Sequence, residues 1–315
     1  MVPKHQLLGK DFLAISDFSK AEIDYFLSEA LSLKELQKQG IAHQFLKGKV
    51  LAMIFEKSST RTRVSFEVGM YQLGGYPMFL SSNDLQLGRG ETIADTARVL
   101  SRYVDGIMIR TFAHEKVLEL AKYATVPVIN GLTDEHHPCQ VLADLLTILE
   151  LKGDFKNLKL CYIGDGNNMA NSLLEGAVKV GMNVAIASPD GYQPDPHLVG
   201  NVHAEALVNG TEVLITNDPI EAIKDADIVY TDVWTSMGQE DEQAIRLEKF
   251  QDYQVNAKLC EHASDDFIFL HCLPAHRGEE VTDEIMDGSH SFVFQQAENR
   301  IHAQKAILKI LLATG

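Results

Sequence analysis

The sequence predicts an α/β protein built from parallel sheets in two domains, and three observations lead there. Short apolar runs rich in Val and Ile alternate with longer helical patterns from about residue 48 onward, the signature of repeated strand–helix units. At 315 residues the chain exceeds the comfortable size of one core. Residues 140–152 have an uninterrupted helical composition that meets Gly153-Asp154, a stop followed by a turn, so the domains are expected at 1–152 and from 153 onward.

In chain order, the strands of the first domain are expected at 49–55, 78–80, 106–110 and 126–130. Those of the second are expected at 158–163, 183–187, 212–216, 227–231, 267–271 and 291–294, which closes that domain near 296. From 298 to 312, Ile301, Lys305, Ile307, Leu308, Ile310 and Leu311 recur at helical spacing, so 297–315 is expected as a terminal helix packing back on a domain. After the first strand, Ser58 or Ser59 suits an N-cap, and a helix runs from about Thr60 to Leu73 until Gly74-Gly75 stops it.

That helix start, within "FEKSSTRTRVSF", is electrostatically odd. A helix N-terminus carries roughly half a positive charge, so a cation in the first turn is disfavoured by ~0.3–1 kcal/mol. Arg63 has Glu67 four residues on and pairs with it along the helix face, whereas Arg61 meets only Ser65 at that spacing. With backbone N–H groups and the hydroxyls of Ser59, Thr60 and Thr62, the turn is suited to a phosphate; the competing reading is a solvated helix start. It is not a Walker loop, because G-x-x-x-x-G-K-[ST] is absent. Arg110 ends the apolar run "GIMIR", an expensive place for a cation unless an anion or a surface carboxylate meets it. In "DEHHPCQ", Pro138 suits a first helical position, which aims His137 and Gln140 at the same sheet edge.

The remaining composition narrows the partners. A net charge of −16 argues against nucleic acid and anionic membrane surfaces, so an anionic ligand has to be caught locally. No apolar run approaches the ~18–20 residues of a membrane span, and the first ten residues lack the apolar core of a signal peptide, so a cytoplasmic protein is expected. Four scattered cysteines, Cys139, Cys161, Cys260 and Cys272, read as reduced thiols.

"SSTRTR" (58–63), "HPCQ" (137–140), "DVWTSMGQE" (232–240) and "HCLP" (271–274), in this order and spacing, resemble the aspartate/ornithine carbamoyltransferase family, the Ser-Met-Gly segment its ornithine branch. The resemblance covers nearly the whole chain. It implies two doubly wound parallel-sheet domains, for carbamoyl phosphate and for the amino acid, with the C-terminal helix returning to the first. It implies that Ser59, Thr60, Arg61 and Thr62 hold the phosphate, that Arg110, His137 and Gln140 bind the carbonyl and amide, and that Arg300 closes on them. Asn168, Asp232, Ser236 and Met237 match positions that contact ornithine, and Cys272 and Leu273 match the reacting centre. Gln86 matches a residue lent to a neighbouring subunit, which implies a homotrimer, or a multiple of trimers, with shared sites. One departure stands out: many relatives follow His-Cys-Leu-Pro with Arg, whereas Ala275, His276 and Arg277 follow here.

The implied activity moves the carbamoyl group of carbamoyl phosphate to the δ-amino group of L-ornithine, giving L-citrulline and phosphate in arginine metabolism, with no metal or organic cofactor. Arg110, His137 and Thr62 are expected to serve the developing oxyanion. Cys272, with Asp232, is expected to position the neutral amine and not to act as a covalent nucleophile. Three rivals remain. "YIGDGNNMANSL" echoes a dinucleotide fingerprint but has Met169 at the third glycine position and no acidic ribose ligand. His136, His137, Cys139, His271, Cys272 and His276 would be zinc donors, at spacings that match no H-E-x-x-H or paired C-x-x-C pattern. A non-enzymatic anion-binding module would leave Cys272 and the amino-acid motif idle.

Overall fold

The computed structural model describes residues 6–81, 90–236 and 238–313. It divides into two compact units, one of residues 1–146 with 298–315 and the other of residues 147–297.

The first unit follows the order α1 (Lys20–Lys38), β1 (Val50–Phe55), α2 (Thr60–Gln72), β2 (Tyr76–Ser81), α3 (Ile93–Leu100), β3 (Gly106–Arg110), α4 (His114–Tyr123), β4 (Val128–Leu132) and the start of α5 (Pro138–Lys152). All of its strand pairings are parallel, in the order β2-β1-β3-β4. β1 and β3 are apolar along almost their whole length because both faces are covered, the expected composition for interior parallel strands. At the end of β3 the register slips between Ile109 and Arg110. Gly131 permits this: a Cβ there would stand 2.7 Å from Met108 Sδ and 3.2 Å from Ile109 O.

The second unit adds β5 (Lys159–Ile163), α6 (Asn168–Val180), β6 (Asn183–Ala187), α7 (Pro196–Asn209), β7 (Val213–Thr216), α8 (Pro219–Ile223), β8 (Ile228–Thr231), α9 (Gln243–Phe250), α10 (Ala257–Cys260), β9 (Ile268–His271) and α11 (Asp283–Met286). Its parallel sheet runs β7-β6-β5-β8-β9 over a core that includes Ile163, Trp234, Phe250 and Phe269. The α/β class with two parallel sheets is therefore the architecture observed.

The tenth expected strand, 291–294, is absent. Ser291 makes only an isolated bridge to Phe269, and the chain turns at once into α12 (Val293–Leu312). β-like composition over four residues was outweighed by a longer helical pattern: Val293 is buried and Gln296 N bonds Phe292 O as the helix opens. From Glu298 onward α12 belongs to the first unit. Lys34 Nζ donates to Asn299 Oδ1 at 2.8 Å, and Lys305 Nζ donates to Gln37 Oε1 at 2.6 Å and Gln72 Oε1 at 3.0 Å. Among the described residues no helix is long and apolar enough to cross a membrane.

In both sheets the strand order reverses at one place, between β1 and β3 and between β5 and β8. At such a point the loops leaving adjacent strands diverge to opposite faces and open a crevice at the carboxyl edge. The loop after β1, the end of β3, the loop after β5 and the loop after β8 are therefore where ligands are expected.

Candidate active site

In the first unit, α2 begins where the sequence pattern placed it. Ser59 is the N-cap, its hydroxyl accepting from Thr62 N at 3.2 Å, and Gly74 has φ +82° beyond the last turn. Arg63 Nε donates to Glu67 Oε1 at 2.9 Å and its guanidinium lies 3.7 Å from the Phe79 ring centre, so this arginine is held along the helix flank. Arg61 is half-buried, beside the Thr62 position.

Thr62 is the meeting point. Its hydroxyl oxygen accepts from Arg110 Nη1 at 3.4 Å and from Arg300 Nη2 at 3.3 Å. Arg300 Nη1 donates to Gln140 Oε1 at 2.6 Å, and Gln140 Nε2 donates to Asp144 Oδ1 at 2.8 Å. The last contact fixes which way the amide faces, since a carboxylate only accepts. Arg110, Gln140 and Arg300 are all buried. Three segments far apart in sequence, the start of α2, the end of β3 and the first turns of α5, thus meet α12 around one hydroxyl.

His137 sits just before α5 and is buried. Burial first, then the charges of Arg300, Arg110 and Arg61, push its pKa well below the usual imidazole value. The ring is therefore neutral at pH 7 and offers one N–H as a donor, without adding a fourth charge. Such a cluster of guanidinium groups and a neutral imidazole at the carboxyl edge is chemically suited to an anion.

In the second unit, Asp232 follows β8 and Cys272 follows β9. Asp232 Oδ1 accepts from Cys272 Sγ at 3.0 Å and from Val233 N at 2.8 Å, while Oδ2 accepts from Asn167 Nδ2 at 3.2 Å. Leu273 holds φ +59°, a left-handed conformation that costs a branched residue ~1–2 kcal/mol, and its N–H donates to His271 Nδ1 at 2.8 Å. Because that nitrogen accepts, the ring proton lies on Nε2 and goes to Glu280 Oε1 at 3.0 Å. Ser236 N donates to Gln239 Oε1 at 3.1 Å in the loop after Asp232.

Asn168, named from the sequence for ornithine, is the first residue of α6; the residue before it, Asn167, caps that helix and donates to Asp232. Asn167 Oδ1 accepts from Met169 N and Ala170 N, so two of the N–H groups that a pyrophosphate would use at this helix start are taken. Gly166 is packed where a Cβ would stand 2.3 Å from Gln193 C and Pro194 N, which closes the loop further. The Asp232, His271 and Cys272 donor atoms lie within 4.8 Å of one another, as a metal would require, yet Cys272 and both ring nitrogens of His271 are already hydrogen-bonded within the group or to Leu273 and Glu280. A second group, His276, Glu279 and Glu280, runs from an exposed histidine to a fully buried carboxylate, and Glu280 Oε1 already accepts from His271 and from His276 N. Arg277 is tied at the surface to Asp283 at 2.7 Å and, through both terminal nitrogens, to Asp287 at 2.5 and 2.8 Å. Gln86 and Met237 lie outside the described residues.

Several residues around the site were not singled out from sequence. Asp144 carried a signal, lying four positions from Gln140 on one helix face. Arg246 carried the same i,i+4 signal toward Glu242, whereas its pairing with Asp165 and that of Glu280 with His271 are fixed only by the tertiary fold.

Residues 10–150 match the carbamoyl-P binding domain of the aspartate/ornithine carbamoyltransferases, and residues 156–311 match the Asp/Orn binding domain. The chain is 64% identical over 307 residues to the ornithine carbamoyltransferase of Anoxybacillus flavithermus, covering 98% of each chain. It is 61% identical to that of Bacillus subtilis, covering 100% of this chain and 97% of the other. The solved ornithine carbamoyltransferase of Pyrococcus furiosus superposes with a TM-score of 0.96 at 54% identity, over 98% of this chain and 99% of that one. The Thermus thermophilus structure gives 0.86 at 43% identity, over 99% and 100%. With both family domains matched in order and relatives of this similarity spanning nearly its full length, the chain belongs to the aspartate/ornithine carbamoyltransferase family.

Proposed function

We propose that the protein transfers the carbamoyl group of carbamoyl phosphate to the δ-amino group of L-ornithine, giving L-citrulline and phosphate in arginine metabolism. The observation that carries this reading is the convergence of Arg110, Arg300 and Gln140 on the Thr62 hydroxyl and its neighbours at the crevice of the first sheet. Relatives at 55–64% identity bear the name ornithine carbamoyltransferase, which selects ornithine among amine acceptors.

Ser59, Thr60, Arg61 and Thr62 take the phosphate, where the helix start and a guanidinium both favour negative charge. Arg110, His137 and the Thr62 hydroxyl donate to the carbonyl oxygen as it becomes an oxyanion, at ~3 kcal/mol per good donor. Gln140 and Arg300 hold the amide end. The neutrality of His137 suits this role, because a neutral N–H polarises the carbonyl without competing for the phosphate. Cys272 and Leu273 stand at the reacting centre.

Ornithine is held by Asn168, Asp232, Ser236 and Met237. Its δ-amine has a pKa near that of lysine, ~10.4, so only about one molecule in a few thousand is neutral at pH 7. The Asp232–Cys272 pair, 3.0 Å apart, supplies an acceptor and a thiol for selecting and orienting that neutral amine. The amine lone pair attacks the carbonyl carbon, the carbon–oxygen bond to phosphate breaks, and the departing phosphate carries off the amine proton. Cys272 forms no bond to carbon. A carbamoyl thioester trapped in a quenched reaction would contradict this.

The homotrimer, with Gln86 reaching a neighbouring site, is part of the same reading. Exposed apolar side chains of the first unit support it: Tyr76 and Met78 on the edge strand β2, Val64 and Tyr71 on α2. A solution mass of three times the 35.0 kDa chain, or a multiple of it, is expected from light scattering. A cytoplasmic location fits four cysteines of which none is in a disulfide.

The test is one assay of the purified protein with carbamoyl phosphate and a panel of ornithine, N-acetylornithine, putrescine and aspartate. Turnover confined to ornithine is expected. Turnover of another acceptor with none on ornithine would overturn the reading.

A further inference from the structure

We propose that Arg246 is a positioning residue for amino-acid recognition, bolting the loop that carries Asp232 and Ser236 to two neighbouring loops at the carboxyl edge of the second sheet. This rests on the assignment of that loop to ornithine. Arg246 lies on α9 and is buried. Its Nη1 donates to Asp165 Oδ2 at 2.9 Å and to the carbonyl of Trp234 at 2.9 Å, and its Nε donates to Glu242 Oε2 at 3.0 Å. Its guanidinium also lies 5.0 Å from the centre of the Tyr192 ring.

Those partners have a common location. Asp165 follows β5, Tyr192 follows β6, and Trp234 and Glu242 lie near the two ends of the loop from Asp232 to α9. A single planar cation therefore joins three loops leaving three adjacent strands, and it grips the acceptor loop at both ends. Trp234 completes the joint by stacking on Phe250 at 5.8 Å, and Phe250 meets the Tyr192 ring edge-on at 4.9 Å. Asp165 and Asn167 share one short loop, and Asn167 holds Asp232 directly. The clamp thus controls the separation of Asp232 from Ser236. A lysine has one ammonium in place of a fork, so it cannot reach all these acceptors together.

The chain has a single tryptophan, Trp234, and it sits in the clamp, so the loop reports on itself without any substrate. Arg246→Gln and Arg246→Lys in the full chain are compared with wild type by acrylamide quenching, by KM for each substrate and by thermal unfolding. We expect roughly two-fold greater quenching and a ~10-fold or larger rise in ornithine KM for Arg246→Gln, as misplacement of binding groups by about an ångström produces. The KM for carbamoyl phosphate stays within about two-fold, and Arg246→Lys falls between. Unchanged quenching and ornithine KM overturn the proposal, as does a parallel rise in both KM values, which marks a general packing role. If neither variant folds, Glu242→Gln decides. Its exposed carboxylate makes only the Nε contact with Arg246, so a smaller shift in the same direction supports the clamp and no shift overturns it. Wild-type turnover of ornithine tests the functional reading separately, because quenching is measured with no substrate present.

Discussion

Two arginines two positions apart on α2 have different fates, and spacing separated them. Arg63 pairs with Glu67 at 2.9 Å, an exposed helix-face ion pair worth ~0.3–0.5 kcal/mol. Arg61 is assigned to phosphate. Arg61→Ala should therefore raise the carbamoyl-phosphate KM by about 10- to 100-fold, the loss of ~1.5–3 kcal/mol expected for a charge-assisted hydrogen bond. Arg63→Ala should raise it by less than about three-fold. Equal losses of binding and of thermal stability in Arg61→Ala would contradict the assignment. His137 gives a second residue-scale outcome. Its pKa is lowered, so between the folded value and 6.5 the unfolded chain holds a proton that the native ring does not. This group's contribution to stability therefore falls as pH drops below 6.5. Its proton NMR signal, identified by loss in His137→Asn, should not titrate between pH 8 and 6, and a midpoint in that range would exclude the neutral-donor role.

At the scale of elements, the cap and the site share Ser59. Ser59→Ala should cost ~1 kcal/mol in denaturant titration, because Thr62 N loses its acceptor. Ser59→Asp restores a cap but places a carboxylate where phosphate belongs, so stability should return while carbamoyl-phosphate binding does not. Loss or recovery of both together would argue that Ser59 acts only as a cap. Most elements were legible because they carried local signals: apolar interior strands, Ser59 before α2, and Gly153 with φ +87° after α5. The strand expected at 291–294 was misread because one bridge from Ser291 and the opening turn of α12 have the same short apolar composition as a strand. Asp165 and Arg246, 81 positions apart, pair only because β5 and β8 are neighbours in the sheet. No periodicity in the sequence encodes that.

For the whole molecule, the resemblance supplied what spacing could not. Spacing marked an anion site at the start of α2, but a bound phosphate and a solvated start stayed near even until four separated motifs were read together. The returning helix α12 was legible as a helix, while the contacts it makes were not. Its Lys305 is buried, with hydrogen bonds to Gln37, Gln72 and His43, and burial lowers its pKa to about 8. Between pH 8 and the unfolded value of 10.5 the unfolded chain binds more protons at this site, so its contribution makes stability rise with pH across that window. Denaturant titrations from pH 8 to 9.5 should show a shallower rise in Lys305→Met than in wild type, and parallel curves would contradict the lowered value.

The central claim is transfer between two named substrates. Carbon-13-labelled carbamoyl phosphate mixed with ornithine and the purified protein, followed by NMR, tests it most directly. The label should move to the ureido carbon of citrulline with one phosphate released per citrulline formed. Label that stays in carbamoyl phosphate, or leaves it only as its hydrolysis products while ornithine is unchanged, would contradict the account.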